Sequence, residues 1–180
     1  MSLSNEIIPA ILAKDTSDLR EKISELPSEI KFVHIDVLED DCWETIGLDF
    51  EAHLMVREPE KIVDQWVKRG AKRIITHKDL DLIQGIEFGR AFKLDEEIKD
   101  LGNANFVHLM SIDEIGEQGH PFNPQVFDRI KRVREKFPEV PISVDGGISI
   151  ENYQKLIESG ANRLIVGSHF KELWNSLTKK

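Results

Sequence analysis

Cysteine is nearly absent from this chain of 180 residues, in which Cys42 is the only one. A single thiol excludes an internal disulfide framework and suits a reducing compartment. The sequence also has no apolar run of membrane-spanning length and no signal-peptide core near its N-terminus. These absences predict a cytoplasmic protein without a membrane partner.

Positive charge is also in short supply, because 24 Lys and Arg stand against 33 Asp and Glu, for a net charge of −9. Such a surface repels nucleic-acid phosphates and anionic membranes, so the sequence predicts no nucleic-acid partner. An anionic small molecule would have to be held by backbone amides and helix N-termini, since no basic field is available.

Strand-like and helix-like segments alternate along the chain. The predicted strands cover residues 7–12, 32–37, 51–56, 73–77, 86–91, 106–112, 142–145 and 163–166, and the predicted helices cover 16–26 (capped by Asp15), 58–69, 94–101, 124–136, 150–159 and 171–178. This alternation is typical of right-handed β-α-β units in a parallel sheet. Eight strands predict an α/β fold, a (β/α)8 barrel of the TIM type, in a single domain over residues 1–180.

The barrel is predicted to be shortened. Residues 38–48 and 79–85 lack helical periodicity where helices 2 and 4 belong, so these helices are reduced or missing. Apolar side chains such as Val33, Ile35 and Leu54 would then face solvent, and apolar surface on that scale usually marks an interface. The sequence therefore predicts a homo-oligomer, most simply a dimer, that covers strands 2 to 5.

Polar side chains interrupt the apolar strand at residues 32–37. Side chains alternate between the two faces of a strand, so His34 and Asp36 share one face while Val33, Ile35 and Val37 share the other. An imidazole and a carboxylate are costly to bury unless they are hydrogen-bonded or bound to a metal. The strand therefore predicts either a hydrogen-bonded core pair or a metal site.

The same kind of pattern recurs at two later strands. His53 and Met55 share a face of the strand at 51–56, and Ser143 and Asp145 share a face of the strand at 142–145. Three strands thus offer two His and two Asp near their C-terminal ends, where parallel α/β folds place their chemistry. This recurrence favours the metal site.

Short motifs along nearly the whole chain point to a known family. They are IPAIL at 8–12, HIDV at 34–37, HLMV at 53–56 with EPE at 58–60, GA at 70–71, TH at 76–77, LMSI at 109–112, VDGGI at 144–148, GA at 160–161 and GS at 167–168. In order and spacing the chain resembles the ribulose-phosphate 3-epimerase family, which consists of ribulose-phosphate-binding TIM barrels.

The resemblance implies one divalent metal ion bound by His34, Asp36, His53 and Asp145. It also implies that Asp36 and Asp145 form the acid/base pair of a 3-epimerase, most simply one that interconverts D-ribulose 5-phosphate and D-xylulose 5-phosphate through a metal-stabilised enediolate. Two imidazoles and two carboxylates suit Zn²⁺, Fe²⁺, Mn²⁺ or Co²⁺, and zinc is the predicted ion.

The resemblance further implies a substrate site around these ligands. Met55 and Met110 match methionines that line the site and exclude water. Gly146 and Gly147, like Gly167 and Ser168, end a strand and lead into a helix, so their amides are predicted to bind the phosphate. The alternative is that these glycines are turn residues only.

Several positions depart from the family pattern. Ala10 stands where the family carries a serine, and Glu117 lies in a loop that is usually rich in glycine. Gly89 and Arg90 stand where the family carries Asn-Pro. Arg90 is predicted to be an exposed loop residue, and the alternative is that it makes a compensating contact to the phosphate. The alternatives to this epimerase are therefore an epimerase for another ketose phosphate, or a catalytically impaired homologue that binds metal or sugar phosphate in a regulatory or structural role.

Three further residues are compatible with two roles each. His77 matches a family histidine near the site. The sequence supports equally a His77 that contacts the substrate and one that does not. His108 shares a strand face with Met110 and is predicted to be a layer residue of the barrel interior. Trp43 covers either the site or the exposed strands.

Overall fold

The computed structural model of the protein describes residues 5–40, 42–81 and 84–178. Eight parallel strands close into a barrel in sequence order. They are β1 (Glu6–Leu12), β2 (Phe32–Val37), β3 (Asp49–Leu54), β4 (Arg73–Thr76), β5 (Glu87–Phe92), β6 (Phe106–Met110), β7 (Ile142–Asp145) and β8 (Arg163–Val166). The predicted TIM-type barrel is confirmed.

The described residues form five α-helices: α1 (Thr16–Ser24), α2 (Val63–Lys68), α3 (Val126–Lys136), α4 (Tyr153–Glu158) and α5 (Phe170–Thr178). The predicted cap of α1 is confirmed, because the Asp15 carboxylate accepts a hydrogen bond of 2.9 Å from the Asp18 amide. As predicted, the described residues of 38–48 and 79–85 contain no helix. None of the described helices is long and apolar enough to cross a membrane.

The helix predicted at 94–101 is wrong, since the described chain there is irregular. Its apolar side chains Leu94, Ile98 and Leu101 still pack against the core, as the helical spacing implied. Its carbonyl oxygens, however, accept hydrogen bonds from α3: Arg129 Nη1 donates to Leu94 O (2.8 Å), and Lys136 Nζ donates to Lys99 O (2.6 Å). These bonds replace those that a helix would form within itself.

The helix predicted at 58–69 is also divided. A 3₁₀ turn at Pro59–Lys61 precedes α2, and Ile62 between them has a φ of −117°, which is outside helical geometry. Its amide donates back to Pro59 O in a bond typical of a 3₁₀ turn, whereas its carbonyl accepts from Gln65 and Trp66. The chain therefore changes from one helical type to the other at this residue.

The expected exposure of the outer strand faces is wrong. Val33, Ile35 and Leu54 are at most 3% exposed within the single chain. The Trp43 ring packs 4.9 Å from Phe50 on β3 and 5.1 Å from Trp66 on α2. Ile46 and Leu48 pack against the same core. The irregular segment 42–48 thus covers the face that helix 2 would otherwise cover, and the premise of the predicted dimer is removed.

Charged side chains fill the N-terminal end of the barrel. The Arg73 guanidinium bonds to Glu87 (2.9 Å), Glu6 (3.1 Å) and Glu51 (3.2 Å), and Arg163 bonds to Glu87 (2.7 Å). This ion-pair network closes the end of the barrel opposite the predicted site.

Candidate active site

Strand register brings the predicted site residues to one level of the barrel. Asp36 pairs with His53 across β2 and β3, and Met110 pairs with Asp145 across β6 and β7. β3 ends at Leu54, earlier than predicted, but the Met55 amide still donates to Val37 O (2.8 Å). Inward-facing side chains at these positions therefore converge at the C-terminal mouth.

His34 is fixed from two sides. Its Nδ1 donates to Glu51 Oε1 over 2.7 Å, and its Nε2 lies 3.2 Å from Asp36 Oδ1. Glu51 is fully buried and also bonds to Arg73. Sequence reasoning missed Glu51, although it precedes His53 by two residues and so shares its face of the strand.

The nitrogen His53 Nδ1 lies between the two predicted catalytic carboxylates, 3.7 Å from Asp36 Oδ1 and 3.8 Å from Asp145 Oδ2. His34 Nε2 also lies 3.8 Å from Asp145 Oδ2. These distances exceed a hydrogen bond, and His53 Nδ1 is buried without a hydrogen-bond partner. The four predicted ligands thus surround one position, and an orphaned donor atom points into it.

His108 joins the same group. It is fully buried, with Nε2 3.3 Å from Asp145 Oδ2 and Nδ1 3.2 Å from Ser143 Oγ. Four potential metal-binding atoms lie within 4.8 Å of one another, one from each of His34, His53, His108 and Asp145. The prediction placed His108 in the barrel interior, but sequence gave no sign that it reaches the site.

The pKa of each carboxyl in this group is lowered. Burial favours the neutral form of Asp36, but attraction to His34 and His53 outweighs it and holds the pKa of Asp36 below its usual range. For Asp145, His108 and His53 likewise outweigh burial and lower the pKa. The histidines therefore favour the ionised form of these carboxyls, which is the form that accepts a proton or donates to a metal.

His77 borders this group at the end of β4. Its Nε2 lies 3.3 Å from His53 Nε2, and its Nδ1 is buried without a partner. Burial, reinforced by the nearby His53 and His108, lowers the pKa of His77 to about 3, so the ring is neutral. His77 therefore contacts the site through His53 and does not line the cleft described next.

A cleft of about 550 Å³ opens above the carboxylates. It is lined by every residue predicted to face substrate, namely Asp36, Met55, Met110, Asp145, Gly146, Gly147, Gly167 and Ser168. Sequence reasoning did not assign Gln118, His120 and His169, which also line it. Among the described residues that line the cleft, none is Lys or Arg.

The backbone conformation and the close packing at Gly146 and Gly147 require glycine at both positions of the cleft. Gly146 and Gly147 have φ values of 116° and 62°, which disfavour any side chain. A Cβ on Gly147 would lie 2.6 Å from Phe122 N, and one on Gly146 would lie 2.7 Å from Ile112. The turn requirement and the phosphate role are therefore compatible.

The residues that depart from the family pattern differ in whether they line the cleft. Ala10 and Glu117 both line it, although the Glu117 side chain is 82% exposed. The prediction that Arg90 is an exposed loop residue is wrong, because it lies half-buried on β5. Its Nε donates to His77 O (3.1 Å) and its guanidinium stacks on Phe92. It does not line the cleft, so the structure gives no support to the alternative phosphate contact. Trp43 covers strands, and it does not line the cleft either.

A closed parallel barrel with carboxylates and imidazoles gathered at its C-terminal mouth has the architecture of a TIM-barrel enzyme. Residues 6–171 match the model of the Ribulose-phosphate 3 epimerase family, and the chain belongs to this family. The predicted classification among the isomerases of this family is thereby confirmed.

Curated relatives agree with this assignment. Ribulose-phosphate 3-epimerase from Eremothecium gossypii is 28% identical over 203 residues, which cover 90% of this chain and 84% of the relative. The enzyme of the same name from Escherichia coli is 27% identical over 196 residues, which cover 90% of this chain and 87% of the relative.

Solved structures support the fold alone. The tryptophan synthase a2b2 complex from Pyrococcus furiosus contains a chain that superposes with a TM-score of 0.65 at 13% identity. The match covers 99% of this chain and 94% of that chain. A match of this extent at this low identity shows that the two chains share the fold.

Proposed function

We propose that the protein is a metal-dependent 3-epimerase that interconverts D-ribulose 5-phosphate and D-xylulose 5-phosphate. The observation that carries this proposal is the pair Asp36 and Asp145, two cleft-lining carboxylates that lie 3.7 Å and 3.8 Å from the same imidazole nitrogen, His53 Nδ1. Membership of the family and the names of its relatives support the reaction and the substrate.

Epimerisation at C3 needs two groups that exchange a proton with opposite faces of the carbon. Asp36, held ionised by its histidine neighbours, accepts the proton from one face. Asp145 enters the turnover as the protonated member of the pair, gives its proton to the other face and is left ionised, while Asp36 is left protonated. The reverse reaction exchanges their roles. Met55 and Met110 line the cleft beside them and exclude water from the carbanionic intermediate.

The residues present fit a divalent ion. Their donor-to-donor distances of 3.2 to 3.8 Å are those expected around one ion with bonds of about 2.0–2.3 Å, and the orphaned His53 Nδ1 gains a partner. His34, Asp36, His53 and Asp145 would hold this ion, for which zinc is proposed. Such an ion stabilises, as a Lewis acid, the negative charge that develops on the substrate oxygens.

The phosphate is proposed to bind at the amides of Gly146, Gly147, Gly167 and Ser168. The last two precede α5, whose positive N-terminal end lies beside the cleft. The absence of Lys and Arg among the described cleft residues supports binding through amides.

A second candidate is a homologue that binds a sugar phosphate without turning over ribulose 5-phosphate, or one that acts on another ketose phosphate. Ala10 favours it, because the cleft there lacks the hydroxyl that the family pattern supplies. The single domain, the cytoplasmic location and the homodimer remain proposals beside either function.

The test is a coupled epimerisation assay on the full chain after metal reconstitution. Asp145→Asn should abolish turnover, whereas Asp49→Asn, at an exposed carboxyl on the opposite end of the barrel, should leave it unchanged. Stoichiometric metal without turnover would contradict the epimerase, and recovery of turnover in Ala10→Ser would then establish the impaired homologue.

A further inference from the structure

We infer that His108 is a direct ligand of the metal ion, through Nε2, in addition to the four residues proposed above. This inference rests on the metal site of the proposed function and extends it from two imidazole ligands to three.

The three rings form one group in the barrel centre. The His108 ring lies parallel to His34, with centroids 5.6 Å apart and an interplanar angle of 9°. It meets His53 edge to face at 4.8 Å. All three side chains are fully buried. Buried ring nitrogens need hydrogen-bond or metal partners, and one shared cation would supply a partner to all three rings.

Each ring also has an inner and an outer nitrogen. The inner atoms are His34 Nε2, His53 Nδ1 and His108 Nε2, which lie 3.8, 3.8 and 3.3 Å from Asp145 Oδ2. Histidines that bind metals typically direct the other nitrogen to a protein partner that fixes the ring. His108 follows this rule as well as the two predicted ligands do.

The outer partners differ but occupy equivalent places. His34 Nδ1 donates to Glu51, His53 Nε2 faces His77 Nε2 at 3.3 Å, and His108 Nδ1 faces Ser143 Oγ at 3.2 Å. If His108 donates its ring N–H to Ser143, its Nε2 lone pair points at Asp145 Oδ2, 3.3 Å away. A lone pair facing a carboxylate oxygen is unfavourable unless a cation lies between them.

The alternative is that His108 only donates a hydrogen bond to Asp145 and so positions that carboxylate. The two roles differ in what touches the ion, and cobalt distinguishes them. In Co²⁺-loaded protein, the exchangeable ring N–H of each ligating histidine gives a strongly shifted proton NMR signal, whereas a histidine one shell further out does not.

The experiment is a Co²⁺ titration of the metal-free full chain, followed by proton NMR and by competition with a chelator. We expect three shifted exchangeable signals in the unmodified protein and two in His108→Leu. We also expect His108→Leu to lose more than about 100-fold in cobalt affinity, beyond the 10–100-fold typical for loss of an outer partner. Ser143→Ala is the matched control, because it removes only the outer partner and should keep three ligand rings.

Two shifted signals in the unmodified, cobalt-loaded chain would overturn the inference even if His108→Leu did not fold, and the proposed function would stand. Unchanged affinity in a folded His108→Leu would overturn it as well. No cobalt binding by the unmodified chain would overturn both the inference and the metal-dependent function.

Discussion

Glu51 illustrates how much of the site depends on residues that do not touch substrate. It lies fully buried between His34 Nδ1, at 2.7 Å, and Arg73 Nη1, at 3.2 Å. The position of His34 Nε2 inside the group therefore depends on a carboxylate at the next level of the barrel. Through Arg73, the same carboxylate links the site to the ion pairs that close the N-terminal end.

We expect Glu51→Gln to weaken metal binding about 10–100-fold, because an amide holds the His34 ring less firmly than a carboxylate does. The matched control is Glu87→Gln, which also removes a charge from Arg73 but does not contact a histidine. Both variants should unfold at lower urea concentration, and only Glu51→Gln should lose metal affinity in a chelator competition. Equal metal affinities for the two variants would show that Glu51 serves the ion-pair network alone.

Among single residues, the sequence predicted those site residues that the alternation of side chains along one strand identifies. His34, Asp36, His53 and Asp145 were found because each is a polar residue at an inward position of a recognisable strand. His108 was placed in the interior without a partner, since Ser143 and Asp145 lie 35 and 37 residues further along the chain. Partners at that separation depend on strand register, which the sequence does not show.

Elements of the barrel were predictable where the hydrophobic pattern and the backbone bonding agree. In the segment 94–101 the two disagree. Its apolar residues have helical spacing, but its carbonyl oxygens accept hydrogen bonds from Arg129 and Lys136. The loop after β7 is the opposite case. Its glycines were recognised from sequence, and the structure shows that their backbone geometry admits no side chain.

Gly147→Ala should therefore disrupt the cleft more than a positive φ alone would. Gly47 is the matched control, with φ of 63° against 62°, because a Cβ there meets nothing within 4 Å. Gly47→Ala should cost about 1–2 kcal/mol for the left-handed conformation. Gly147→Ala should cost about 1–3 kcal/mol more, because its Cβ clashes with the backbone of Phe122.

Urea unfolding of both glycine variants measures these costs, and calorimetry with inorganic phosphate measures the effect on the cleft. Phosphate binding should weaken in Gly147→Ala and stay unchanged in Gly47→Ala. The predicted clash is refuted if the two variants lose the same free energy of unfolding, and the phosphate site is refuted if both bind phosphate as the unmodified chain does.

At the scale of the whole molecule, the barrel is closed although the described residues form only five of the eight α-helices that usually surround one. Trp43 explains part of this, because its ring packs on Phe50 and Trp66 and lies under the Arg69 guanidinium, 5.5 Å from the ring centre. From sequence the missing helices implied bare strands and hence a dimer. The covering segment 42–48 has no periodicity, so its packing could not be predicted.

Trp43→Ala should remove this cover and lower the free energy of unfolding by about 3 kcal/mol, the low end for a large aromatic residue because Trp43 is only partly buried. Trp174→Ala is the control, since that partly buried ring stacks on Phe170 within α5.

Urea unfolding at several protein concentrations tests whether the segment 42–48 covers strands 2 to 5 in a monomer or in a dimer. If Trp43 seals a monomer, its stability and the cost of the substitution do not depend on concentration. If a second copy covers strands 2 to 5, both increase with concentration, because dissociation accompanies unfolding. Light scattering of the unmodified chain then gives twice the monomer mass, whereas a monomer mass at micromolar concentration contradicts the dimer.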